Sequence, residues 1–200
     1  MIHKQSVRKI TNIAILSAAS AVLMMLEFPV GLAPSFLKMD FSELPALIAA
    51  FAFGPQYGVL VCLIKNLINL PFSNSMMVGE IANFLIGVCF VVPAGLIYRY
   101  DKSKKGAVIG SLTGALLMAA LSIPINYYVT YPIYAQLFAK GDMNAIVAMY
   151  TALYKGIDTL PKALVYCNMP FTLAKGLLDF ALTMLIYKQV SPLLKGEKRK

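Results

Sequence analysis

Charge is scarce in this 200-residue chain: Asp, Glu, Lys and Arg make up 14% of it, against about 25% in an ordinary soluble domain. Tryptophan is absent, and the single histidine, His3, is terminal, which leaves no material for a histidine-based catalytic or metal centre. The three cysteines, Cys62, Cys89 and Cys167, lie within or at the edges of apolar runs with neither pairing nor metal-ligand spacing, and read as packing or lipid-facing residues. Acidic residues are half as frequent as basic ones, 9 against 18. The basic residues sit in short clusters between apolar runs, not on an aromatic-interleaved face, so nucleic acid is excluded as a partner. No Gly-x-x-x-x-Gly-Lys-[Ser/Thr] loop, His/Glu metal motif or serine nucleophile elbow occurs, so ATP hydrolysis by that route and the corresponding hydrolytic chemistries are excluded too.

What the chain has instead is apolar length. It is 59% hydrophobic with a mean hydropathy of +0.71, more apolar surface than a soluble fold can hide. The expected fold is all-α: a single transmembrane domain over 1–200, a bundle of six helices in a lipid bilayer. Runs between breakers place helices at about 10–28, 44–53, 55–70, 77–98, 107–131 and 168–190. The first has a basic start, but its apolar run, Ile10 to Leu26, exceeds a usual signal core and keeps its small residues mid-run, so it reads as an uncleaved helix. An amphipathic stretch near 143–157 is expected on the membrane surface.

The run from Leu44 to Leu70 is ambiguous between one long helix and two short ones broken at Gly54-Pro55. Charge decides. Cytoplasmic loops carry the excess of Lys and Arg, and three basic clusters stand out: Lys4, Arg8 and Lys9; Arg99, Lys102, Lys104 and Lys105; Lys188, Lys195, Lys198, Arg199 and Lys200. All three share one side only if the spans between them are even in number. Splitting the run achieves this and puts both termini in the cytoplasm, with Lys38, Lys140, Lys155 and Lys162 outside.

Ionisable side chains inside a span cost about 2.5–3.5 kcal/mol on insertion scales, so each needs a partner, a wet cavity or a ligand. Glu27, Lys65, Glu80, Asn126 and Lys175 all fall toward the outer ends of their helices. They read as a pocket open to the exterior, against the plainer reading of interfacial residues that snorkel and pair. Lys175 and Asp179, four apart, could form an ion pair on one helix face. Phe36, Phe41, Tyr127, Tyr128, Tyr131 and Tyr134 lie near the same face, as an interfacial belt or as stacking walls for a flat ligand. Ala14 and Ala18 on the first helix have the spacing that lets another helix approach closely.

The loop Leu37-Lys38-Met39-Asp40-Phe41-Ser42-Glu43-Leu44-Pro45, the segment Phe53-Gly54-Pro55 leading to Lys65-Asn66-Leu67, Asn83-Phe84, Asn126-Tyr127, and Pro170-Phe171 with Lys175-Gly176 resemble the riboflavin-specific substrate-binding components of energy-coupling factor (ECF) transporters. The resemblance runs over about 10–190 in order and spacing. It implies a riboflavin-binding subunit, not an enzyme, with no cofactor. Its partners would be a transmembrane coupling subunit and two ATPase subunits in the cell membrane. Carried onto this chain, Asn126 and Lys175 would hydrogen-bond the isoalloxazine ring. Leu37, Asp40, Phe41 and Lys65 would help hold the ligand, Asn83 joins them, and Ala14 and Ala18 would dock on the coupling subunit. One departure stands out: Thr172 occupies a position where the family leads one to expect asparagine. The alternatives are the same architecture for another vitamin or small solute, and a self-sufficient proton-coupled carrier using Glu27, Glu80 or Asp179.

Overall fold

The computed structural model describes the chain except Met1, residues 32, 33, 35 and 74, and residues 196–200, and it describes side chains from Val7 to Val190 outside those positions. His3, Lys4 and the terminal basic residues Lys195, Lys198, Arg199 and Lys200 thus lie outside the described side chains.

The elements are α1 (Ile2–Met25), β1 (Phe28–Pro29), β2 (Lys38–Met39), α2 (Glu43–Phe53), α3 (Pro55–Asn69), α4 (Val78–Tyr100), α5 (Lys104–Ile125), α6 (Tyr131–Phe138), α7 (Met143–Thr151), α8 (Leu160–Ala163) and α9 (Met169–Lys195). The fold is all-α, because the two strands are a two-residue antiparallel ladder, Phe28 opposite Met39, within the α1–α2 loop. Four helical stretches are long and apolar enough to cross a membrane: Val7–Met25, Val78–Tyr100, Lys104–Phe138 and Leu160–Val190. Helices α2 and α3 have 11 and 15 residues. At ~1.5 Å rise per residue they extend about 16 and 22 Å, less than the ~30 Å hydrocarbon core.

These two form a hairpin. Gly54 sits at φ +114°, a conformation L side chains avoid, and Pro55 takes the first helical position, where its missing N–H costs nothing. The chain then folds back so closely that a Cβ on Gly58 would lie 2.9 Å from the Ala46 carbonyl oxygen. Two contacts align the hairpin with α1. The Ser20 hydroxyl donates to the Ser42 carbonyl near one end, and the Lys9 ammonium lies 3.8 Å above the Tyr57 ring near the other. Helices α4 and α5 approach as tightly, since a Cβ on Gly110 or Gly114 would come within 2.7 Å of Ala94 O or 2.5 Å of Phe90 O.

Two helices run past the breakers that the sequence reading took as ends. Helix α5 continues through a π segment, Asn126–Thr130, into α6, and α8 continues through a second, Leu164–Asn168, into α9. In each case a proline, Pro132 or Pro170, follows two residues later. A proline ring collides with the carbonyl four residues back, and a turn widened by one residue relieves the collision without ending the helix. The expected surface helix near 143–157 is helical only over Met143–Thr151, and it packs Ile146, Val147 and Tyr150 on Tyr131 and Ala135 in a second apolar cluster.

Candidate functional site

Where α1 ends and α2 and α4 begin, the bundle encloses a cavity of about 830 Å³, within the size range of small-molecule sites. The α1–α2 loop lines it with Phe36, Leu37, Lys38 and Asp40, and α4 with Glu80, Asn83 and Ile86. Asn126, Tyr131 and Tyr134 come from the π segment and α6, and Phe171, Thr172 and Lys175 from α9. Asn126 and Tyr131 are five apart, one turn of a π segment but well off-face in an α-helix, so the widened turn brings both to the same cavity.

Of the residues predicted from sequence, Leu37, Asp40, Asn83, Asn126, Thr172 and Lys175 line the cavity. Phe41 and Lys65 do not. Phe41 turns toward Phe28, with ring centroids 6.3 Å apart. Lys65 is fully buried behind the wall, donating to Ser42 Oγ at 2.6 Å and to Glu43 Oε1 at 2.7 Å. Asn83 Oδ1 is 3.4 Å from Asn66 Nδ2. Ala14 and Ala18 sit on the exposed face of α1, while Ser17 and Ala21 turn inward.

The deep end of the cavity is a connected charge network. Lys175 Nζ donates to Asp40 Oδ2 at 2.7 Å, and Asp40 Oδ1 accepts from the Ser42 amide at 2.9 Å and the Ser42 hydroxyl at 2.5 Å. The Ser42 hydroxyl in turn accepts from Lys65, which pairs with Glu43. Ammonium and carboxylate groups alternate, so neither buried cation is left bare. The Lys175–Asp179 pair that the spacing allows is not formed: Lys175 turns to Asp40, and Asp179, fully buried, has no hydrogen-bond partner for either oxygen among the described residues.

Two further polar arrangements were not read from the sequence, which offered Tyr131 only as an interfacial or stacking aromatic. Glu43 lines the cavity and holds Lys65; its signal was a carboxylate at the head of an apolar run. Tyr131, Tyr150 and Asn168 close a hydrogen-bonded ring. The two tyrosine hydroxyls bond to each other, Tyr150 donates to Asn168 Oδ1 at 2.6 Å, and Asn168 Nδ2 donates to Tyr131 at 2.5 Å. Each member gives and accepts once, which satisfies all three inside the fold. The ring ties α6, α7 and the segment before α9 together beneath Phe36, which lies 6.0 Å edge-on to Tyr131. A lone asparagine in an apolar run was the available clue to Asn168.

Residues 8–187 match the family described as ECF transporter, substrate-specific component. The chain belongs to that family. This substrate-specific component is 32% identical to "Riboflavin transporter RibU" of Staphylococcus aureus, with 97% of this chain and 96% of that protein covered. It is 31% identical to "Riboflavin transporter FmnP" of Bacillus subtilis, with 96% of each covered. A solved structure of the S component of a bacterial ECF transporter superposes with a TM-score of 0.73 at 32% identity, covering 95% of this chain and 99% of that one. The substrate-specific component is thus a membrane transport protein and not an enzyme. Its cavity offers ammonium, amide and hydroxyl donors at one end and aromatic and aliphatic walls between, a donor set suited to a neutral, planar, acceptor-rich ligand.

Proposed function

We propose that this chain binds riboflavin in the cavity and delivers it, with a coupling subunit and two ATPase subunits, across the cell membrane as a multi-pass protein. The observation that carries the reading is the convergence of Lys175, Asn126 and Thr172 on one cavity in a chain whose relatives are named riboflavin transporters. Asn126, Thr172 and Lys175 hydrogen-bond the isoalloxazine ring; Leu37, Asp40 and Asn83 complete its surround; Phe41 and Lys65 act from behind, by holding the α1–α2 loop. Ala14 and Ala18 form the docking face for the coupling subunit.

In this reading residues 1–200 are one transmembrane domain of six helices with both termini cytoplasmic, and the cavity opens outward. The α2–α3 hairpin supports that orientation: it brings the chain back to the end where it left α1, so α4 starts beside the cavity. The chain holds no phosphate-loop motif, so the energy comes from the partners. The test is a fluorescence titration of purified protein with riboflavin. Saturable quenching at one flavin per chain is expected, and absence of quenching at micromolar riboflavin overturns the ligand assignment.

A further inference from the structure

Behind the deep end of the cavity, α9 carries a polar stripe into the interior of the bundle. Lys175, Asp179, Thr183 and Tyr187 follow one another four residues apart, which stacks them on one helix face. Helix α9 packs on α5: a Cβ on Gly176 would lie 3.1 Å from Ala115 Cβ and 3.3 Å from Met118 Sδ. The two helices run in opposite directions, since Asn126 just after α5 and Thr172 early in α9 both border the cavity. Ser111, one turn before Ala115 on the same face of α5, therefore comes level with the part of α9 between Asp179 and Thr183. All three are fully buried, and among the described residues neither Asp179 oxygen, nor Thr183 Oγ1, nor Ser111 Oγ has a hydrogen-bond partner. Tyr187 closes the stripe, its ring 5.6 Å from that of Phe51 and 6.1 Å from that of Tyr98.

The charged groups that act on Asp179 are Lys175, Glu43, Asp40 and Lys65. These four already balance, because Lys175 pairs with Asp40 and Lys65 with Glu43. Asp179 is a fifth charge without a counter-ion among the described residues, and an uncompensated carboxylate away from water is costly. A proton on it would only move the difficulty, since the acid O–H then needs an acceptor, and among the described residues none stands within hydrogen-bond reach of either oxygen. A positive ion seated between the carboxylate and the two hydroxyls answers both demands. It takes up the charge, and it bridges oxygens set too far apart to bond one another. Donors that are all oxygen suit hard cations, and one surplus negative charge matches a monovalent one.

We infer that Asp179, Thr183 and Ser111 form a buried site for a monovalent alkali cation, sodium or potassium, which ties α9 to α5 behind the cavity. The site is independent of which ligand the cavity takes.

The test is the thermal midpoint of the purified full chain in detergent, with sodium chloride or potassium chloride titrated against N-methylglucamine chloride at constant ionic strength. The parent's midpoint is expected to rise saturably by about 5 °C with an alkali cation and not with the organic one. Asp179→Asn removes the surplus charge and is expected to abolish the shift. Thr183→Val removes one oxygen and is expected to raise the half-saturating concentration by about tenfold, as for one lost contact to a charged group. A parent with the same midpoint in all three salts overturns the inference, as does a shift that persists unchanged in Asp179→Asn or in Thr183→Val. If one variant fails to fold, the other decides. A parent whose midpoint ignores the alkali cations but climbs as the pH falls is balanced by a proton, which equally overturns the cation site.

Discussion

Lys175 has two jobs that mutation separates. It neutralises Asp40 across 135 positions of sequence, and it faces the cavity. Lys175→Ala leaves a buried carboxylate unpaired, which is expected to cost about 3–5 kcal/mol of stability and to lower the melting temperature in detergent. Adding Asp40→Asn removes that charge, so the double variant is expected to regain most of the stability while riboflavin binding stays weak. The Tyr131–Tyr150–Asn168 ring gives a second residue-scale prediction. Tyr150→Phe removes the donor to Asn168 Oδ1 and is expected to destabilise by about 1–3 kcal/mol, seen as a lower thermal midpoint. The scarce polar residues in apolar runs were legible as residues that need partners. Which partner each takes was not, because Asp40 and Lys175 meet only through the packing of the α1–α2 loop on α9, whereas the pairing readable from local spacing, Lys175 with Asp179, is not used.

At the scale of elements, Gly54-Pro55 was legible only as a possible break, which the parity of the basic clusters decided; the structure supplies the local chemistry, Gly54 at φ +114° and Pro55 at the helix start. The π segments were not legible. Nothing local distinguishes a proline that ends a helix from one accommodated by a widened turn, so helix 5 was expected to stop near 131 and helix 6 to start at 168, whereas the helical stretches run Lys104–Phe138 and Leu160–Val190. The miss has a functional side, since the first π segment is what turns Asn126 and Tyr131 to one face. The α4–α5 contact supplies the prediction here. Gly114→Leu drives a side chain into the Phe90 carbonyl, where even a Cβ would come within 2.5 Å, and overpacking of this kind costs about 1–3 kcal/mol or more. Reduced yield of folded protein is expected, measured as monodisperse recovery in detergent, whereas Leu112→Ala on the exposed face of the same helix is expected to leave it unchanged.

For the whole molecule, the proposed orientation rests on the α2–α3 hairpin and the basic turn between α4 and α5. Lys102, in that exposed turn, is expected to face the cytoplasm. A cysteine at Lys102, in a chain whose three native cysteines are replaced, is expected to resist an impermeant thiol reagent in intact cells and to react after lysis. Transport is likewise expected to need the partner subunits, and double substitution of Ala14 and Ala18 by leucine to abolish uptake while leaving riboflavin binding to the isolated chain intact. The central claim, that the cavity between the α1–α2 loop, α4 and α9 is where flavin binds, is tested most directly by titrating folded Asn126→Ala against the parent and following riboflavin fluorescence. A loss of affinity of about 10- to 100-fold, equivalent to about 1–3 kcal/mol, is predicted. An affinity equal to the parent's would contradict it.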